Sequence, residues 1–149
     1  MKVAVIPARK GSVGFPNKNL QKISELSLLD RTIQFVKKSA LFDQIIVTTD
    51  YGEEEYDSND VCNRNRLREL ATSSATMVDV LLDVITEYNL KNDDFVILFQ
   101  PTSPFRAERD VEKVLELLEE YDSVITVKEL DINLSLIVQP FSSTALKRK

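Results

Sequence analysis

The sequence contains no histidine, one cysteine and only three glycines among its 149 residues. Without histidine, the chain cannot build a Ser-His-Asp triad, a Cys-His dyad or a histidine-ligated zinc site, so oxygen atoms must bind any metal. The single cysteine, Cys62, cannot form an internal disulfide, which favours the reducing cytoplasm. No apolar run approaches the roughly 20 residues of a membrane span, and the N-terminus lacks a signal-peptide pattern, so we expect no membrane association.

The charge balance argues against a nucleic-acid-binding protein. The 19 basic and 24 acidic residues give a net charge of −5, which is the wrong sign for general binding to nucleic acid or to an anionic membrane. A hydrophobic content of 43% with 29% charged residues is typical of a soluble globular domain. A domain of this length needs no disulfide or metal to fold.

Short apolar runs alternate with helical patterns along the chain. The runs are too continuous for a half-exposed sheet, so the order predicts an α/β sandwich with a mainly parallel sheet. In such sheets, ligands bind outside the carboxyl ends of the strands. The predicted strands cover residues 3–7, 44–49, 95–99 and 123–127, and the predicted helices begin at Ser27 and cover residues 77–89 and 108–120.

Several local features define the predicted helices. Ser27 is the expected cap of the first helix, and Thr76 or a neighbour is the expected cap of the second. The second helix is predicted to bury one apolar face. That face consists of Val78, Leu81, Leu82 and Ile85. The 20 residues after Asp50 show no clear pattern, although three consecutive glutamates suit the first turn of a helix.

The loop at residues 8–19 directly follows the first predicted strand and is the first candidate site. It contains Arg9, Lys10 and Lys18 together with Gly11 and Gly14. Basic side chains can neutralise phosphate charge, and backbone N–H groups in a tightly curved glycine loop form an anion site, so the loop could bind a nucleoside triphosphate. Its spacing matches neither the P-loop nor the dinucleotide motif. A solvated surface loop is the alternative.

Three other places in the sequence carry candidate residues. The turn at residues 100–106 (QPTSPFR) follows a hydrophobic strand, and its prolines could hold Gln100 and Arg106 in fixed orientations or could only terminate the strand. Arg66 precedes a run of small residues around Ala75, which could accept a flat base or sugar or serve only as helix capping. Asp50 could bind a metal or form a turn at the end of its strand.

Together these segments resemble the acylneuraminate cytidylyltransferases, which are the CMP-sialic acid synthetases. The resemblance runs from residue 3 to about residue 127 in five or more ordered blocks. The most specific are the loop at residues 6–14 (IPARKGSVG), followed by Lys18 and Asn19, and the turn at residues 100–106. The others are residues 46–50 (IVTTD), Arg66 with residues 69–72 (ELAT), and residues 122–124 (DSV).

The resemblance implies a fold, a reaction and a set of residues. The fold is the Rossmann-like three-layer sandwich of nucleotide-diphospho-sugar transferases, and the reaction transfers CMP from CTP to a nine-carbon sugar acid with release of pyrophosphate. Mg²⁺ is the implied cofactor, with no ligands identified in this chain, and a homodimer is the implied assembly. Arg9, Lys18 and Gln100 are the implied catalytic residues, with Gln100 facing the sugar. The implied nucleotide-binding residues are Arg9, Gly11, Ser12, Asn19, Arg66 and Ala75.

The chain departs from the family pattern at two points. Val13 stands where the family usually has lysine, and Lys10 is the nearby cation that could replace it. The resemblance fades after residue 129, which predicts a nucleotide-binding domain over residues 1–129, a divergent tail over residues 130–149 and no counterpart of the family's dimerisation arm or later metal-binding aspartates. An alternative function is therefore a truncated homologue that binds only nucleotide or a full-length partner.

Overall fold

The computed structural model describes residues 1–11 and 14–127, together with the backbone of residues 146–147. The chain divides into two compact units, Met1–Phe105 and Arg106–Lys149. The predicted domain boundary between residues 129 and 130 lies outside the described residues. The predicted tail lies there too, apart from the strand at its end.

The first unit contains a four-stranded parallel sheet. Its elements are β1 (Lys2–Ala8), β2 (Lys22–Ile23), β3 (Leu26–Ser27), α1 (Leu28–Ser39), β4 (Gln44–Thr49), β5 (Cys62–Asn65), α2 (Met77–Glu87) and β6 (Phe95–Leu98). Three 3-10 helices, Lys18–Leu20, Glu53–Glu55 and Arg68–Ala71, lie in the connections. The strand order is β5-β4-β1-β6, and all three pairings are parallel. The predicted α/β fold with a parallel sheet is confirmed.

The strand order defines where a ligand can bind. From β1 the chain continues to β4 and β5 on one side, and then crosses to β6 on the other side of β1. The gap between the carboxyl ends of β1 and β6 is therefore a topological switch point. The right-handed rule for parallel crossovers places α1 and α2 on opposite faces of the sheet, because they connect strands in opposite directions. The predicted apolar runs in β1 and β4 are the most buried part of this sheet.

Helix α1 begins as predicted. The Ser27 hydroxyl accepts a hydrogen bond from the Asp30 backbone N–H at 2.9 Å, which satisfies one of the otherwise unpaired N–H groups of the first turn. Leu29, Ile33 and Val36 are buried along one face. The helix ends where Ala40 adopts a left-handed conformation with φ of 50°.

Helix α2 forms where predicted, but its predicted buried face is only half correct: Leu81 and Ile85 are half-buried, and Val78 and Leu82 are exposed. Val80 and Val84 are the buried residues, and Val84 packs with Val3, Val5 and Ile46 of the sheet. Val78 and Leu82, which were expected in the core, are 63% and 55% exposed. Apolar residues occur on nearly every side of this helix, so its period alone does not determine which side is buried.

The sequence analysis predicted neither strand β5 nor the hairpin of β2 and β3. Strand β5 has the polar sequence CNRN and lies at the edge of the sheet, where only one side needs a strand partner. The hairpin of β2 and β3 has two residues in each strand and a left-handed Ser24 with φ of 60° in its turn. Neither segment has the apolar periodicity by which a strand is recognised.

The second unit contains α3 (Glu108–Leu118), β7 (Tyr121–Ser123) and β8 (Leu146–Lys147). The predicted helix over residues 108–120 is confirmed. The predicted strand over residues 123–127 is wrong, because the observed strand ends at Ser123 and pairs antiparallel with β8. Ile125 and Val127 are more than half exposed. The strand partner lies more than 20 residues further along the chain, and a local apolar run contains no information about such a partner.

Candidate functional site

A cavity of about 500 Å³ lies at the carboxyl end of the parallel sheet, within the first unit. This volume is in the range of small-molecule sites, and the place is the one that the strand order predicts. Four segments contribute to it: the loop after β1, the end of β5 with the residues that follow, the start of α2, and the turn after β6. The lining side chains include Arg9, Phe15, Lys18, Asn19, Arg66, Ala75, Thr76, Met77, Val80 and Gln100.

The loop after β1 supplies two cations to the cavity, Arg9 and Lys18. Asn19 holds the two ends of this loop together, because its buried side-chain amide donates a hydrogen bond to the Arg9 carbonyl oxygen at 3.0 Å. Asn17 has a left-handed conformation with φ of 48° and begins the 3-10 helix Lys18–Leu20. This helix brings Lys18 and Asn19 to the cavity together.

The glycines of the loop do not provide the tight curvature that the sequence analysis expected. Neither Gly11 nor Gly14 has a positive φ, and a Cβ atom built on either would meet nothing within 4 Å. Gly14 lines the cavity, whereas Gly11 is not among the lining residues. At Gly14, glycine therefore leaves space beside the cavity and is not required by the backbone conformation.

Lys10, the suggested replacement for the missing lysine, interacts elsewhere. Its ammonium group lies 3.0 Å from the Glu55 carboxylate and 5.7 Å from the centroid of the Tyr51 ring. Its backbone N–H donates to Asp50 Oδ1 at 2.7 Å. The backbone N–H of Gly52 and the Lys10 side chain lower the pKa of Glu55, which keeps this partner charged. Lys10 is thus paired away from the cavity.

Arg66 is a buried cation in the cavity wall, with a side chain 7% exposed. Its Nη2 donates to the Thr48 carbonyl oxygen at 2.8 Å, and its Nε lies 3.4 Å from the Thr48 hydroxyl. Within the described part of the chain, no carboxylate lies within salt-bridge distance of its guanidinium. Burial lowers the pKa of Arg66, the negative charge of Asp50 opposes this, and the positive charge of Arg9 lowers the pKa further. Two cations that repel each other beside one cavity favour an anionic ligand.

Another part of the cavity wall is made by lining residues between positions 70 and 80. The Thr76 hydroxyl accepts a hydrogen bond from the Asp79 N–H at 3.2 Å, and the Asp79 carboxylate accepts one from the Thr76 N–H at 2.9 Å. This capping box confirms Thr76 as the predicted cap. Ala75, Met77 and Val80 supply small or apolar surface to the cavity. A flat base can bind such a surface through dispersion and burial of its faces.

The turn after β6 completes the cavity. The backbone N–H of Ser103 donates to the Gln100 carbonyl oxygen at 3.1 Å, which closes a turn around the buried Pro101. Gln100, Pro101 and Thr102 line the cavity. The rigid turn expected from the two prolines is therefore present, and it begins at the side chain that was predicted to face the sugar.

The structure brings most of the predicted site residues into one cavity. Six of the eight line it: Arg9, Lys18, Asn19, Arg66, Ala75 and Gln100. Gly11 lies outside the lining, and Ser12, like Val13, lies outside the described residues. Four further lining residues, Phe15, Leu70, Met77 and Val80, were not predicted. Phe15 is 54% exposed, but no sequence pattern distinguishes an exposed aromatic side chain from a buried one.

The described residues do not provide a metal site of their own. They contain no group of three or more acidic or cysteine side chains that could hold a metal ion. One oxygen of Asp50 is already bonded to the Lys10 N–H, and Asp50 is not among the cavity-lining residues. No helix in the described chain has the length and apolar character needed to cross a membrane.

Sequence comparison places the chain among enzymes that use cytidine nucleotides. A family model described as cytidylyltransferase matches residues 3–148. The chain is 37% identical over 136 residues to the N-acylneuraminate cytidylyltransferase of Escherichia coli O18:K1:H7, a match that covers 84% of this chain and 30% of that protein. It is 30% identical over 122 residues to the CMP-N,N'-diacetyllegionaminic acid synthase of Legionella pneumophila, with coverage of 77% and 52%. The chain thus spans about a third of the length of its N-acylneuraminate cytidylyltransferase relatives, because the matches cover 30% to 33% of those proteins.

Solved structures agree with the fold. The chain matches a CMP:2-keto-3-deoxy-manno-octonic acid synthetase in complex with CTP, with a TM-score of 0.65 and 25% identity, over 79% of this chain and 47% of that one. It matches the 2-C-methyl-D-erythritol 4-phosphate cytidylyltransferase of Francisella tularensis with a TM-score of 0.64 and 17% identity, over 98% and 70% of the two chains. The predicted resemblance is therefore confirmed, and this chain belongs to the cytidylyltransferase family.

Proposed function

We propose that this chain binds CTP and transfers CMP to a sialic acid or a related nonulosonic acid, with release of pyrophosphate. The observation that carries the proposal is the cavity at the switch point, where two cations without a carboxylate partner among the described residues, Arg9 and Arg66, adjoin an apolar wall. The cations match the charge of a triphosphate, and the wall at residues 70–80 suits a pyrimidine ring. The N-acylneuraminate and legionaminic acid relatives support the choice of acceptor.

The proposed reaction is an in-line displacement. An acceptor hydroxyl attacks the α-phosphorus of CTP, a new oxygen–phosphorus bond forms, the bond to the bridging oxygen breaks, and pyrophosphate leaves with its electron pair while the hydroxyl loses its proton. Such a transfer depends mainly on positioning and on neutralisation of phosphate charge. Arg9 and Lys18 would neutralise the phosphates, Arg66 would contact the nucleotide from the cavity wall, and Gln100 would orient the acceptor.

Mg²⁺ belongs to this proposal only through the substrate. Mg²⁺ in nucleotide enzymes is bound through one or two carboxylates and the substrate phosphates, and it keeps several waters. The described residues contribute no carboxylate cluster to the cavity. The triphosphate oxygens and water would therefore supply most of its ligands. A cytoplasmic location is also part of the proposal, supported by the unpaired Cys62.

The test is pyrophosphate release from CTP, Mg²⁺ and a panel of nonulosonic acids, with a parallel measurement of CTP-dependent thermal stabilisation. We expect stabilisation by CTP and release of pyrophosphate with at least one acceptor. Gln100→Ala should raise the KM for the acceptor and leave the affinity for CTP unchanged. Stabilisation by CTP without pyrophosphate release from any acceptor would contradict the transferase proposal. No stabilisation would contradict nucleotide binding as well.

A further inference from the structure

Arg64 and Asp83 form a two-point ion pair next to the nucleotide cavity, and neither residue lines it. Arg64 Nε donates to Asp83 Oδ2 at 3.0 Å, and Nη2 donates to Oδ1 at 2.8 Å. The two side chains are only 17% and 12% exposed. A bidentate pair of this kind fixes both distance and orientation, which a single exposed ion pair does not. We call this pair the Arg64–Asp83 fork.

The fork connects two elements that each contribute residues to the cavity wall. Arg64 is in β5, two residues before Arg66, and Asp83 is in α2, three residues after Val80. Arg66 and Val80 both line the cavity. Strand β5 has four residues and lies at the sheet edge, so its hydrogen bonds to β4 hold it on one side only. The fork adds a second attachment, from the Arg64 side chain to helix α2.

The fork also favours the observed rotation of α2. Apolar residues at several positions would allow this helix to bury Val78 and Leu82, but it buries Val80 and Val84. With Val84 packed against Val3, Val5 and Ile46 of the sheet, the neighbouring Asp83 is in reach of Arg64 in β5, so the pair and the core contacts favour the same rotation of the helix. Exposure of Val78 and Leu82 is the cost of that orientation. The same rotation brings Val80 and Met77 to the cavity.

The charge of Asp83 reaches beyond its direct partner. Pairing with Asp83 raises the pKa of Arg64. Burial and Arg9 lower the pKa of Arg66; Asp50 raises it, and Asp83 adds a smaller contribution in the same direction as Asp50. Asp83 therefore stabilises the charged form of the cavity-lining arginine without occupying the position of a ligand.

We infer that the Arg64–Asp83 fork is a positioning pair for the nucleoside, holding the Arg66 wall and the Val80 wall at the separation that cytidine binding requires. This inference rests on the proposed function and adds two residues to it. Glu87, whose carboxylate lies 3.5 Å from Arg64 Nη1 and whose side chain is 52% exposed, is a minor partner. A misplaced wall should weaken nucleotide binding more than acceptor binding, because Gln100 belongs to another segment of the site.

The test compares Asp83→Asn with Val84→Ala in adjacent positions of α2. Asp83→Asn removes the charge at nearly constant volume, and we expect it to raise the Kd and the KM for CTP by about fivefold or more while the acceptor KM stays within about twofold. Val84→Ala removes core packing without touching the fork. It should lower Tm at least as much as Asp83→Asn and leave the Kd for CTP within about twofold of wild type.

Further variants complete the test. Arg64→Lys keeps the charge but loses the bidentate geometry, and it provides the same comparison if Asp83→Asn does not fold. The exchange of both residues, Arg64→Asp with Asp83→Arg, should restore part of the lost CTP affinity. If the wild type binds CTP and Asp83→Asn binds it equally well, the role of the fork is overturned and the proposed function stands. The same holds if Val84→Ala loses as much CTP affinity as Asp83→Asn. Failure of the wild type to bind CTP would overturn the proposed function and this inference together.

Discussion

Replacing Arg66 by methionine separates a binding role from a structural one. The side chain is 7% exposed and donates to the Thr48 carbonyl oxygen at 2.8 Å, without a carboxylate partner among the described residues. Methionine carries no charge and follows the path of the arginine side chain only as far as the position of Nε. The variant therefore keeps the packing of the stem and removes the charge and the outer guanidinium atoms beside the cavity.

Opposing effects decide the stability of this variant. Loss of the donor removes a hydrogen bond from a charged group to the Thr48 carbonyl oxygen, which costs about 1.5–3 kcal/mol. Removal of a buried cation without an ionic partner relieves a desolvation penalty of several kcal/mol, about the same size or larger. We expect the free energy of unfolding without nucleotide to change by no more than about 1 kcal/mol.

The effect on nucleotide binding has no such compensation. A hydrogen bond to a charged group contributes about 1.5–3 kcal/mol, which corresponds to about a 10- to 150-fold loss of CTP affinity. Arg66→Lys keeps the charge but loses the planar guanidinium donor, so its CTP affinity should lie between those of wild type and Arg66→Met. Arg68→Met is the matched control, because Arg68 is exposed two residues further along the chain and lines no part of the cavity.

Urea unfolding without nucleotide and calorimetric titration with CTP measure the two quantities separately. The expected result is a large loss of affinity at nearly constant stability for Arg66→Met, and no change in either for Arg68→Met. Our reasoning would be refuted by an Arg66→Met protein that loses more than about 3 kcal/mol of stability yet binds CTP like the wild type. In that case Arg66 would be a structural residue of the β4–β5 edge.

Three other variants test the loop, the core and the cap. Asn19→Ala removes the side-chain bond to the Arg9 carbonyl oxygen, and it should cost about 1 kcal/mol in thermal unfolding and raise the KM for CTP, with the acceptor KM as the internal comparison. Ile46→Ala leaves a cavity at a fully buried position of β4 and should cost about 2–5 kcal/mol in urea unfolding; a cost below 1 kcal/mol would contradict the assigned core. Thr76→Ala should cost about 1 kcal/mol at neutral pH. Hydrogen bonds from Thr76 lower the pKa of Asp79 from 3.8, so this contribution is complete above that value and is lost as pH falls through the folded-state pKa. The stability difference between wild type and Thr76→Ala should therefore shrink below about pH 4, and a difference independent of pH would contradict the capping box.

The parts of the fold that were predictable are those in which local pattern and tertiary environment agree. Continuous apolar runs identified β1, β4 and β6, because a strand covered on both faces must be apolar at every position. A capping serine before a helical period located the start of α1. In each case the signal lies within about ten residues and needs no knowledge of a distant partner.

The parts that were not predictable depend on residues far apart in the chain. Strand β5 has a polar sequence, and it is a strand only because β4 has a free edge beside it. The buried face of α2 depends on the sheet residues against which Val84 packs, Val3, Val5 and Ile46, which are far from it in the chain. The strand expected over residues 123–127 ends at Ser123, where the pairing with β8 stops.

The candidate site divides in the same way. The sequence by itself determined which chemistry is available: cations and hydroxyls in loops after apolar strands, no histidine, and an order of motifs that resembles one family. The tertiary structure decided which of those groups are used. It paired Lys10 with Glu55, left Arg66 buried in the cavity wall without an ionic partner among the described residues, and turned Val80 towards the same space. The physical reason is that residue type and local period follow from the chain itself, whereas the direction of a side chain and the partner of a charge are set by elements that meet only when the sheet assembles.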